Sequence, residues 1–347
     1  MIRTTDIGRQ APEKSRLRYF VDAAGMQAVG RAGVGLDWLL GNRAPGALGI
    51  VTYHRVAPDV AGLPHMPHNV PPDRFREQLA GLLARGFTVW PLSRILACRA
   101  CGEPIPPQTI AVTFDDGFQA VYTNAWPVLK ELQVPATVFL STAFLDGTDP
   151  FWFDRWGVQF ADRVPAESYR PLTSEQAREM AAQGLVELGA HTHTHEDFRH
   201  RPEDFRRDLQ LSVDIVRSCF DQQNVTFAFP FGSGHCGFVS DELIVAARYT
   251  GVTCGLTTEN AVIDLRSDPF RWGRFTAFRW DTSATLAGKL HGWFSWAPKL
   301  RQRLARAMPC APFRRGARTA APASRPDGTH RPWTDVASLA LVDRDEP

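Results

Sequence analysis

Ala111-Val112-Thr113-Phe114-Asp115-Asp116-Gly117-Phe118 is the stretch that decides the fold of this chain. A β-branched apolar run ends in two adjacent carboxylates and a glycine. Neighbouring side chains on a strand point to opposite faces, so Asp115 and Asp116 cannot serve one site while the strand continues. Gly117 supplies the sharp exit that turns the chain and leaves both carboxylates at the strand's C-terminal end. That end is where barrel and open α/β enzymes gather their chemistry. Two carboxylates at one point repel, and one takes up a proton unless a cation lies between them. The stretch therefore asks for a metal ion and for further ligands.

A second stretch, Gly189-Ala190-His191-Thr192-His193-Thr194-His195, follows the short apolar segment Val186-Glu187-Leu188. A solitary histidine usually means a satisfied polar group, but three within five residues at a strand end are hard to explain by packing. Imidazole is a common ligand for zinc and related metals. His191 and His195 are spaced so that one turn brings both to the same ion. The residues are not H-E-x-x-H, so the zincin arrangement does not apply.

Outward from these two stretches, strand and helix patterns alternate. Apolar runs at 49–56, 87–90, 136–140, 225–229 and 251–256 read as strands, and helical spacing predicts helices over 73–85, 92–101, 121–132, 173–183, 202–220 and 241–248. Serial βα units argue for a parallel sheet, open or closed into a barrel. Residues 1–47 read as a weakly helical arm, 48–284 as the main domain, 285–308 as a basic amphipathic helix and 309–347 as a disordered tail. The helix carries Leu290, Trp293, Phe294, Trp296 and Leu300, followed by Lys299, Arg301, Arg303 and Arg306. It reads either as a last helix packed on the domain or as one lying on the anionic inner membrane surface.

With 44% hydrophobic and 22% charged residues the chain has the composition of an ordinary soluble globular enzyme, and a net charge of +2 gives no general case for nucleic-acid binding. The cysteines at 98, 101, 219, 236, 254 and 310 are scattered, and reduced thiols are expected. No secretory signal is visible, and the apolar stretch 19–40 is broken by Asp22, Arg31 and Asp37, so a cytoplasmic, membrane-peripheral at most, location is expected.

Taken together, Thr113-Phe114-Asp115-Asp116-Gly117-Phe118 and His191-Thr192-His193-Thr194-His195 resemble the signature of the polysaccharide deacetylases, the NodB-homology family (carbohydrate esterase family 4). In that family T-F-D-D-G is followed by H-[ST]-x-x-H, and the likeness covers residues 48–280. Tyr53-His54-Arg55-Val56 resembles the start of the branch related to poly-N-acetylglucosamine deacetylases, where strand order is permuted and the histidine comes first. The resemblance implies an α/β fold, an irregular (β/α)7-type barrel. It implies that Asp116, His191 and His195 hold a divalent metal, most often zinc, with Asp115 as general base. His54 is then the general acid, the alternative being a structural histidine at a strand end. The family's usual arginine before Pro-Tyr is absent from Phe227-Ala228-Phe229-Pro230-Phe231-Gly232. Arg274, in the D-P-F-x-x-x-R-like segment Asp268–Arg274, is expected to orient Asp115 in its place. Phe151-Trp152-Phe153-Asp154 resembles the family's W-x-D, and Trp152, Asp154, Phe231 and Trp272 are the expected substrate contacts, the alternative for the aromatic stretch being a buried cluster. The implied activity is metal-dependent removal of an N-acetyl group from a sugar in a polysaccharide or a lipid-linked glycan precursor. An O-acetyl esterase or another metal-dependent amidase would use the same machinery, and a glycan-binding protein with a degenerate site is the alternative from another class.

Overall fold

This computed structural model describes residues 46–293 without a break, preceded by 30, 32–36, 39–41 and 44. Most of the expected arm, the segment 294–308 of the expected basic helix and the whole of the expected tail lie outside the described residues.

Eight parallel strands form one curled sheet: β1 (Gly49–Tyr53), β2 (Thr88–Val89), β3 (Thr109–Phe114), β4 (Ala136–Leu140), β5 (Val186–Ala190), β6 (Phe227–Ala228), β7 (Gly255–Leu256) and β8 (Phe275–Thr276). The main path runs β7-β6-β5-β4-β3-β1-β8, with β2 paired to the start of β3. Every pairing is parallel. Strands β1, β3 and β4 are buried along their whole length, as expected where helices cover one face and the barrel interior fills the other. The ends of the path do not pair as strands, and the Thr257 N–H donating to the Trp272 carbonyl at 2.8 Å is a backbone bond across that gap. The result is the irregular barrel of the expectation, open between β7 and β8.

The helices are α1 (Pro72–Ala84), α2 (Leu92–Cys101), α3 (Trp126–Leu132), α4 (Arg155–Phe160), α5 (Ser174–Ala182), α6 (Pro202–Phe220), α7 (Asp241–Tyr249) and α8 (Ser283–Leu290). Proline opens α1 and α6, where its missing N–H costs nothing. The α6 stripe of Phe205, Leu209, Val213 and Val216 is buried in the main core. The helix expected over 121–132 is two pieces, a π turn at Val121–Ala125 and then α3. Pro127 has no N–H for the carbonyl one turn back and its ring crowds that carbonyl, which favours the wider turn.

Two expectations are corrected at the C-terminal side. The last helix starts at Ser283 behind a Thr282–Thr285 capping box and ends at Leu290, and Gly292 at φ +85° turns the chain there. Leu286, Leu290 and Trp293 are buried in the core. Lys289 is also buried, donating to Asp281 at 2.6 Å. A side chain at Gly81 on α1 would collide with Ser283, so α8 is packed on the domain and the boundary expected at 284 does not separate it. Among the described residues no helix is long and apolar enough to cross a membrane. Among the described residues Cys98, Cys101, Cys219 and Cys254 are free thiols.

Candidate active site

The C-terminal ends of β1, β3 and β5 meet at one point of the barrel mouth. Asp115 still belongs to the ladder, its N–H donating to the Tyr53 carbonyl at 2.9 Å. The chain then breaks away: Asp116 takes φ +72°, Gly117 φ +84°, and the Gly117 N–H closes on the Asp115 carbonyl at 2.9 Å. Positive φ at a non-glycine residue is strain of the kind held at functional sites. Here it swings the Asp116 carboxylate out of the strand's alternation, so that both aspartates face the mouth.

Asp116 Oδ1 lies 3.4 Å from His191 Nε2 and 3.4 Å from His195 Nε2. One ligand atom from each of the three residues lies within 4.8 Å of the others, and all three side chains are buried. His191 Nδ1 sits 2.8 Å from the Ala228 carbonyl, which only accepts, so Nδ1 carries the proton and Nε2 faces the other two ligands with its lone pair. His195 is held differently. Its ring stacks on Phe153 at 3.9 Å between centroids and meets the Phe231 ring edge-on at 4.8 Å, and its buried Nδ1 has no hydrogen-bond partner.

Electrostatics agree with a cation site. Burial pushes the Asp116 carboxyl up, but the hydrogen bonds to His191 and His195 outweigh it and hold the group well below the carboxylate range. At His191 burial disfavours charge, yet Asp116 and Asp115 prevail and raise its proton affinity. At His195 burial prevails and lowers it. One carboxylate and two imidazoles, buried and converging, fit a divalent ion and leave further coordination positions for water or substrate.

Asp115 is gripped by Arg274. Nη1 donates to Oδ1 at 2.6 Å and Nη2 to Oδ2 at 2.8 Å, a bidentate pair with both side chains buried. Arg274 precedes β8 and reaches through the barrel interior, its Nη1 also near Thr52 Oγ1 at 3.1 Å and Thr113 Oγ1 at 3.3 Å, while Nε donates to the Thr257 carbonyl at 3.1 Å. Burial again pushes the Asp115 carboxyl up, and Arg274 with His191 and His54 brings it below the ordinary value. His54 Nε2 lies 3.8 Å from Asp115 Oδ2, and its ring stacks on His68 at 4.9 Å.

The expected substrate contacts divide. Trp152 is 40% exposed at the mouth, its Nε1 donating to the Thr194 carbonyl at 3.1 Å, and Phe231 stands beside His195. Trp272 is 1% exposed in a core cluster with its Nε1 on Ser267 Oγ, so it lines no cleft. Asp154 is buried and paired to Arg55, whose guanidinium lies 4.1 Å over the Phe118 ring. It braces the segment after His54 instead of reaching solvent. The sequence reading missed Phe153 and Arg55 in their contact roles, although both stood within stretches it singled out.

Comparison with known proteins follows the same lines. Residues 102–255 match the family model described as polysaccharide deacetylase. The poly-beta-1,6-N-acetyl-D-glucosamine N-deacetylase of Escherichia coli strain K12 is 32% identical over 142 residues, 41% of this chain and 20% of that protein. The protein of the same name from Staphylococcus epidermidis is 24% identical over 213 residues, 59% of this chain and 66% of its own. This chain thus spans a fifth of the length of the first relative and just under two thirds of the second. The solved structure of Streptococcus pyogenes deacetylase PplD in complex with acetate shares the fold, with a TM-score of 0.58 at 20% identity over 71% of this chain and 99% of that one. His54 and Arg274 fall on either side of the matched segment and reach the site through the pairing of β1 with β3 and β8. Over residues 102–255, then, the chain is similar to the polysaccharide deacetylase family.

Proposed function

We propose that this protein is a metal-dependent N-deacetylase of a polysaccharide built from N-acetylated amino sugar, of the poly-β-1,6-N-acetylglucosamine type. The observation that carries the reading is the meeting of two complete constellations: Asp116 with His191 and His195, and Asp115 with Arg274 and His54. A degenerate binding protein has no need to keep both. The arginine absent from the Phe229-Pro230-Phe231 turn is replaced by Arg274, and the acid absent from the C-terminal part is replaced by His54. The names of the Escherichia coli and Staphylococcus epidermidis relatives support the substrate class.

Asp116, His191 and His195 would hold the ion, which we take to be zinc from its borderline-soft donor set. A bound divalent ion supplies Lewis acidity to the attacking water and to the acetyl carbonyl. Asp115, kept ionised by Arg274, accepts the proton of that water. Arg274 also fixes the plane of the carboxylate, so that one lone pair of Oδ2 stays directed to the mouth. His54, with Nε2 3.8 Å from Asp115 Oδ2, gives its proton to the leaving amine, which would otherwise depart as an anion. Trp152 offers an aromatic face at the rim for a neighbouring sugar ring.

The test is acetate release from N-acetylglucosamine oligomers, with and without chelator. Wild type releases acetate, and chelation or Asp115→Asn abolishes it. His54→Ala lowers turnover by about 10²–10⁴-fold while bound metal stays at the wild-type level. Inertness of the metal-loaded wild type on every acetylated amino sugar tried would remove the reading.

A further inference from the structure

His191 and His195 are fixed by different means, and the difference points to Asp208. The His191 ring is oriented by its own hydrogen bond to the Ala228 carbonyl. The His195 ring has no such bond, since Nδ1 is buried without a partner, and away from Asp116 and His191 the ring lies against Phe153 and Phe231. The direction of its Nε2 therefore depends on where the backbone of residues 192–195 places the Cα–Cβ bond. That backbone is strained: Thr192 stands at φ +63° and His195 at φ +53°, both in the left-handed region that a non-glycine residue disfavours.

What holds it is a carboxylate from another element. Asp208 on α6 accepts the His193 N–H at 2.6 Å and the Thr194 N–H at 3.1 Å on Oδ1, and the Thr194 hydroxyl at 2.6 Å on Oδ2. Inside the loop, Thr192 Oγ1 accepts the His195 N–H at 3.2 Å. Phe205 and Leu209, flanking Asp208 on α6, are buried in the main core, so the carboxylate is mounted on a rigid support. Hydrogen bonds of N–H groups to a charged acceptor are stronger than neutral ones.

We propose that Asp208 is a positioning residue for the metal site: it clamps the strained turn so that His195 Nε2 meets Asp116 and His191 at the ion. The inference rests on the metal-site reading above. Its test is zinc affinity, measured by competition with a chromophoric chelator, for wild type and Asp208→Asn, alongside thermal unfolding of both metal-free proteins. Asparagine keeps the volume, but it loses the charge and cannot accept on both ends. Zinc affinity is expected to fall about 10–100-fold, the range seen when groups that orient metal ligands are removed. The His193 and Thr194 amides are expected to lose hydrogen-exchange protection in the same variant. Wild-type zinc affinity in folded Asp208→Asn overturns the proposal and leaves the metal site standing. Should that variant not fold, Thr194→Val, which deletes one bond to Asp208, decides: weaker zinc binding supports the clamp, and unchanged binding overturns it. A wild-type protein that binds no zinc overturns the clamp and the metal-site reading together.

Discussion

Arg274 places a full positive charge in the barrel interior, and Asp115 is its only carboxylate partner among the described hydrogen bonds. A buried pair of this kind is costly to break from one side, because the remaining charge has neither water nor partner. Arg274→Met is expected to destabilise the protein by about 3–5 kcal/mol in chemical denaturation at neutral pH. The sign of the pH effect follows from the depressed carboxyl. Its contribution to stability is fully present above the ordinary value of 3.8 and is lost as pH falls through the lower folded value. In Arg274→Met burial is opposed only by His191 and His54, the Asp115 pKa rises, and the acid limb of the kcat/KM profile moves to higher pH. An acid limb that stays in place would show that Asp115 is not the group whose ionisation matters. At this scale the sequence was informative where ligands cluster: Asp115-Asp116 and His191-Thr192-His193-Thr194-His195 are local patterns with one chemical reading. It was misleading at Trp272 and Asp154, because an aromatic or acidic residue looks the same in sequence whether it lines a cleft or closes a core. The Arg55–Asp154 pair joins residues 99 apart, which no local pattern announces.

Among the elements, β8 does most to complete the site and was least visible. Phe275–Thr276 pairs with Val51–Thr52 for two residues only, too short for an alternation to register. Its placement depends on Gly273, where a Cβ would collide with the Glu259 carbonyl. Gly273→Ala must therefore push the Trp272–Arg274 segment away from the β7 side. The expected outcome is a loss of about 1–3 kcal/mol in stability and a fall in kcat at unchanged zinc content, since the metal ligands sit on β3 and β5. Wild-type kcat in Gly273→Ala would mean that Arg274 tolerates displacement. The longer elements were legible because their signals are strong: α6 and β4 have the boundaries the sequence predicts, set by Pro202 and by the apolar run at 136–140. Of the helix expected over 285–308, the described part ends at Leu290, where Gly292 turns the chain, and an apolar stripe in sequence does not register such a turn.

For the molecule as a whole, the fold brings the candidate site together from both sides of the matched segment, with β1 entering before it and β8 after it. Two tryptophans separate surface from scaffold. Trp152→Ala is expected to raise KM for oligomers several-fold at a stability cost of about 1 kcal/mol or less, whereas Trp272→Ala costs about 3–5 kcal/mol through the cavity it leaves. The reverse pattern, in denaturation and steady-state kinetics, would exchange their roles. The central claim is that one divalent ion is held jointly by Asp116, His191 and His195. Elemental analysis of the purified protein and of His191→Ala tests it most directly. One equivalent of metal per chain in the wild type and near none in the variant is the predicted result. A metal-free wild type after loading with zinc, or a variant that retains its ion, would contradict the account.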